Sequence, residues 1–152
     1  MRLRHSLSLA FRKKLKCIIL IDKRIKHPPL FMANIIQREV FIMEYKRFGN
    51  TIYLRLDPKE EILEEIGKVA KKENIRLAQV TGLGAINDFT AGVYNTVTKE
   101  YHSIQFQGAF EIVSLTGTVT RKDGDVYLHL HIAAGDEKGH VHGGHLNRAI
   151  IS

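Results

Sequence analysis

Two periodicities divide the chain. Between Asp57 and Asn74, the residues Ile62, Leu63, Ile66, Val69 and Ala70 recur at helical spacing and form one apolar stripe. The start of this segment is marked. Asp57 can cap free N–H groups, Pro58 suits the first helical position, and Glu60 completes a capping box. Lys71 and Lys72 suit the negative helix end, and Asn74 can stop it. The spacing predicts a helix over 58–73. Nearly everything else reads as strand. The segments Thr51–Leu56, Arg76–Thr81, Ala91–Val97, Tyr101–Gln107, Phe110–Thr120 and Val126–Ala133 are rich in Val, Ile, Thr, Tyr and Phe. The tetrad Lys122-Asp123-Gly124-Asp125 predicts a hairpin turn. The expected fold is α+β, one helix packed on a mostly antiparallel β-sheet. No internal repeat or low-complexity tract interrupts it.

Length and charge refine this picture. A chain of 152 residues fits one domain with a real core. The longest apolar candidate for a membrane span, Cys17–Ile21, falls far short of the ~20 residues needed, so no membrane association is expected. The single cysteine, Cys17, allows neither an internal disulfide nor a Cys-based zinc site, and it suits a reducing compartment such as the cytoplasm. The net charge of +7 suggests nucleic acid until it is located. Residues 1–42 hold ten Lys/Arg against two Asp/Glu, whereas residues 43–152 hold thirteen against fourteen. The basic character therefore belongs to the N-terminal segment, and the domain itself gives little electrostatic case for phosphate binding. Residues 1–42 are expected to be a basic extension outside the fold, with the domain at 43–152. The extension reads as a targeting-like segment, as a basic arm for an acidic partner, or as a passive tail ahead of Met43, where MEYKRFGNTIYLRL begins like a first strand.

Several catalytic motifs are absent. The stretch Val80–Asn87 contains Gly82-Leu83-Gly84, but Asn87 stands where a dinucleotide fingerprint needs a small residue. A tight turn is the simpler expectation for these glycines. There is no P-loop. Ser103 and Ser114 lie inside strand patterns, so nucleophilic catalysis is a poor fit.

The stretch LHLHIAAGDEKGHVHGGHL, Leu128 to Leu146, gathers five of the chain's eight histidines. Side chains alternate faces along a strand, so His129 and His131 share one face while Leu128, Leu130 and Ile132 take the core face. Two such imidazoles can hold one divalent metal, zinc first among the candidates. A third ligand is expected from a glycine loop, Gly135–Gly144, which ends at His145 and passes His140 and His142. Three protein ligands leave one coordination position open. His142, His140 and Glu111 are the supporting or alternative ligands, and Asp136 is a further carboxylate to consider. The competing reading is that the histidines lie on a solvated face and bind nothing.

Four pieces in order carry a family resemblance: TGLGAIND (Thr81–Asp88), GAFEIVSLTGTVT (Gly108–Thr120), YLHLHIAAGDEKG (Tyr127–Gly139) and HVHGGHL (His140–Leu146). With the strand and helix before them, the chain resembles the PPC (plants and prokaryotes conserved) domain from Met43 to Leu146. The resemblance implies a compact α+β unit that forms a homotrimer. It also implies a metal site at His129, His131 and His145, and a DNA-associated role by analogy with plant members that carry an AT-hook. No AT-hook is present here, and residues 1–27 contain no glycine to build one. Direct minor-groove binding is thus unsupported. The family continues past the GGHL piece, so the resemblance implies a domain lacking its final strands.

Three functions follow. The chain is a trimeric, metal-holding regulatory or scaffold module, DNA being a possible partner. Alternatively it is a metal-dependent enzyme acting on a small molecule, with Glu111 as acid/base. The third reading is a structural oligomer without metal. The first is preferred and an enzyme is not expected.

Overall fold

The computed structural model describes residues 17–22 and 44–152. Seven strands and one helix follow in the order β1 (Cys17–Asp22), β2 (Glu44–Phe48), β3 (Thr51–Leu56), α1 (Ile62–Lys72), β4 (Ala78–Tyr94), β5 (Tyr101–Lys122), β6 (Asp125–Gly135) and β7 (Val141–Ile151). The sheet order is β2-β3-β1-β4-β5-β6-β7, with β4 also paired to β7. Every pairing is antiparallel.

The double use of β4 shapes the sheet. One edge of β4 pairs with β5 along almost its whole length. The other edge pairs first with β1, over Gln79–Leu83, and then with β7, over Ile86–Gly92. Strands β4 to β7 therefore close into a ring, which covers their edges over the stretches that pair on both sides. The helix lies against β3, β6 and β7. Its stripe of Ile62, Ile66, Val69 and Ala70 is buried with Leu54, Leu130, Ile132, Leu146 and Ile151.

The α+β fold is as the pattern predicts, but four local expectations are corrected. The helix begins at Ile62, not at Pro58. Lys59 adopts a left-handed φ of 78°, so Asp57–Glu60 forms a turn. Glu61 supplies the cap, accepting the Glu64 N–H at 2.7 Å and the Ala149 N–H of β7 at 2.9 Å. The capping-box residues still meet, with the Asp57 N–H donating to Glu60 Oε2 at 2.7 Å, but one turn too early to start the helix.

The predicted breaks within two pairs of strands are bulges rather than turns. The parts of segments 76–81 and 91–97 that fall within Ala78–Tyr94 belong to one 17-residue strand, β4, whose register shifts between Gly82 and Gly84, while 95–97 lie in the turn after it. Segments 101–107 and 110–120 belong to the 22-residue β5. Glycine there bends a strand whose neighbours keep pairing, and pairing is a long-range property that local composition does not report.

Residues 1–42 do not stand wholly outside the fold. Cys17–Asp22 fills the sheet between β3 and β4, and Ile19 and Ile21 are fully buried. A short unbroken apolar run is what a central strand requires. The other residues before Glu44, with the targeting-like and basic-arm readings placed on them, lie outside the described residues.

The glycine loop is also mostly strand. Only Asp136–His140 turns, and β7 starts at Val141. Here glycine serves close approach, since a Cβ at Gly143 would lie 2.1 Å from the Ile132 carbonyl oxygen of β6. Gly143→Ala is expected to force β6 and β7 apart at a cost of about 1–3 kcal/mol. Chemical denaturation of the variant beside the unmodified chain checks this.

Candidate metal centre

The β6–β7 register builds the site. His131 faces His145 directly across the ladder, and His129 stands two residues earlier on the same face of β6. On its other side, His145 is opposite Gly92 of β4. Leu130, Ile132 and Ala134 are buried in the core, so the alternation drives His129 and His131 to the outer face. The Nε2 atoms of His129 and His131 lie 3.4 Å apart, and one nitrogen from each of the three rings falls within 4.8 Å of the others. A tetrahedral ion with Zn–N bonds of about 2.0–2.1 Å requires N···N separations of about 3.3 Å. The His129–His131 pair already meets that spacing, and a nitrogen of the half-buried His145 lies within 4.8 Å of both. The donor set therefore fits a divalent ion held by neutral imidazole.

The electrostatics agree. Burial holds His145 below the usual imidazole pKa, and the neighbouring His129 and His131 push it the same way. The neutral, lone-pair-bearing form is thus favoured, which is the form a metal needs.

The other candidates lie elsewhere. His142 is three residues from His145 on β7 and projects to the opposite side, where its ring stacks on Phe106 with centroids 4.8 Å apart. His140 sits at the turn, with Nδ1 3.2 Å from Asp136 Oδ2. Asp136 also approaches His142 Nε2 at 3.7 Å and accepts the Lys138 and His140 N–H groups, each at 2.9 Å. It organises the β6–β7 turn and does not reach the three-histidine set. Burial raises the Asp136 pKa, but the His140 and Lys138 N–H groups and the His140 ring outweigh it and hold the carboxyl below its usual range.

Glu111 pairs with Gly135, four residues beyond His131 on β6, or about 13 Å at the rise of a strand. That distance excludes it as an acid/base at the histidines. It lines a separate cavity of about 630 Å³ with Asp136 and Glu137.

The three imidazoles open into another cavity, of about 530 Å³, with Gly92, Tyr94 and Tyr101 among its lining residues. Sequence reasoning missed these three. The available signal was a pair of tyrosines flanking a short polar turn, which reads equally well as ordinary strand composition.

With this geometry established, comparison places the chain in a class. Residues 43–152 match the model of the Plants and Prokaryotes Conserved domain, and the chain belongs to that family. Strand β1 lies outside the matched residues. Three crystal structures share the fold. A proposed DNA-binding protein of Bacteroides thetaiotaomicron is 33% identical over 72% of this chain and 77% of its own, with a TM-score of 0.70. A plant- and prokaryote-conserved protein of Pyrococcus horikoshii is 32% identical over 75% and 78%, with a TM-score of 0.61. A metal-containing protein of Archaeoglobus fulgidus is 31% identical over 75% and 79%, with a TM-score of 0.63. No curated protein matches the chain.

The His145 shift sets a pH dependence for the metal-free chain. A depressed folded pKa means that protonation favours the unfolded state. The stability present above the ordinary imidazole pKa of about 6.5 is therefore lost as pH falls through the folded value. The urea midpoint is expected to drop between about pH 7.5 and pH 5, and less steeply in His145→Asn. An equal slope in both chains would remove His145 as a source.

Proposed function

We propose that this chain is a regulatory or scaffold module that assembles as a homotrimer, holds a divalent metal through His129, His131 and His145, and associates with DNA. The convergence of three imidazoles from β6 and β7 carries the reading. Zinc is the ion proposed, because three imidazole nitrogens within 4.8 Å of one another suit it. A bound ion would supply a tie between the two strands and a Lewis-acidic position facing the cavity. The metal-containing archaeal relative supports this reading.

Assembly is supported by apolar residues that the single subunit leaves uncovered. Tyr53, Leu83, Val113 and Val141 are all about half exposed or more. The DNA part rests on the relative from Bacteroides and on the family. The near-neutral charge of residues 43–152 and the lack of an AT-hook in the basic stretch 1–27 lend direct minor-groove readout no support. Among the described residues, no helix is long and apolar enough to cross a membrane. The single cysteine supports a cytoplasmic site of action. The acid/base role considered for Glu111 finds no support here, since no carboxylate is among the described residues lining the histidine cavity.

Elemental analysis beside light scattering tests the proposal. About one divalent ion per chain is expected in a trimer, lost in His131→Ala and retained in His142→Ala. A folded, metal-free trimer sinks the metal part and leaves a structural oligomer. Filter binding with duplex DNA should show affinity that falls with salt. Absence of any such affinity removes the DNA part.

A further inference from the structure

The wall of the histidine cavity contains more than a metal site needs. Beyond Gly92, β4 pairs only with β5, and the two strands form an arm on which Tyr94 and Tyr101 are direct partners. Tyr101 leans diagonally across Gly92. A Cβ at Gly92 would lie 2.3 Å from the Tyr101 hydroxyl oxygen and 2.4 Å from Cζ, so only glycine admits the ring there. The Tyr101 hydroxyl donates to Asn147 Oδ1 of β7 at 2.7 Å, which tethers the ring. Its plane stands at 83° to the His145 ring, with centroids 6.4 Å apart. Gly144 leaves the adjoining backbone bare, since a Cβ on it would lie 2.6 Å from the Gly92 carbonyl oxygen. Glycines on β4 and β7 thus keep about 530 Å³ free beside the imidazoles, within the range of small-molecule sites.

The chemistry of this wall selects a ligand. None of its described lining residues is Lys, Arg, Asp or Glu. Three neutral imidazoles leave the double charge of a divalent ion uncompensated, so an anion is the favoured occupant of the open position. The Tyr101 proton is committed to Asn147, so the residue offers an apolar ring rather than a donor. Exposed aromatic surface beside one concentrated charge suits a molecule with one anionic end and one apolar end. Resting on the metal reading above, we infer that this cavity binds a small carboxylate with an apolar, ring-sized body. The carboxylate sits at the ion and the body packs against Tyr101 and Tyr94.

Calorimetric titration of the zinc-loaded full chain tests this with benzoate, acetate and benzamide. Benzoate should bind about tenfold more tightly than acetate, which lacks the ring. Benzamide, which lacks the charge, should not bind measurably. In Tyr101→Ala with unchanged zinc content, the benzoate preference should vanish, whereas Tyr101→Phe should keep it. Equal affinity for benzoate and acetate in the unmodified chain overturns the inference and leaves the metal site standing. A Tyr101→Ala chain that holds zinc and still prefers benzoate also overturns it. A chain that takes up no zinc overturns both readings at once.

Discussion

The alignment of β6 with β7 is the constraint on which the site depends. His131 faces His145 only in this register. A one-residue slip would turn His145 to the other face and break the set. The register is held from several sides. Gly143 lets β7 approach the Ile132 carbonyl, β4 pairs with the far edge of β7, and Glu61 of the helix cap binds the Ala149 N–H. The ring of strands, the helix start and the histidine cluster are therefore one mechanical unit.

The same unit separates two polar regions that look continuous in sequence. His140 and His142 cluster with Asp136 at the turn, and His142 stacks on Phe106. His145 lies only three residues from His142, yet it joins His129 and His131 on the opposite side. Strand alternation makes the division, and it gives the two groups different surroundings. One group is organised by a carboxylate. The other has no carboxylate among the described residues of its cavity wall, and its three imidazoles face one another instead.

The hydrophobic pattern was legible wherever it was local. The helical stripe, the strand Thr51–Leu56 and the Asp123-Gly124 hairpin turn all appear where spacing and turn chemistry put them. The shared face of His129 and His131 was legible for the same reason, because alternation follows from backbone geometry alone. Less legible were features set by neighbours distant in sequence. Glycines in β4, β5 and β7 looked like chain breaks, but they sit at bulges or at close backbone contacts inside long strands. The apolar run Cys17–Ile21 carried the composition of a strand but nothing to say that a gap between β3 and β4 awaited it.

By itself, then, the sequence determined the α+β class, the helix stripe and the pairing of two imidazoles on one strand face, since each depends on residues a few positions apart. Tertiary structure decided which histidine completes the set, that Glu111 stands too far along the ladder to serve it, and that Tyr101 overhangs it from another strand. Those outcomes depend on register and on the contact distance between backbones. Both are fixed by the packing of the whole sheet, and no short stretch of the chain encodes either one.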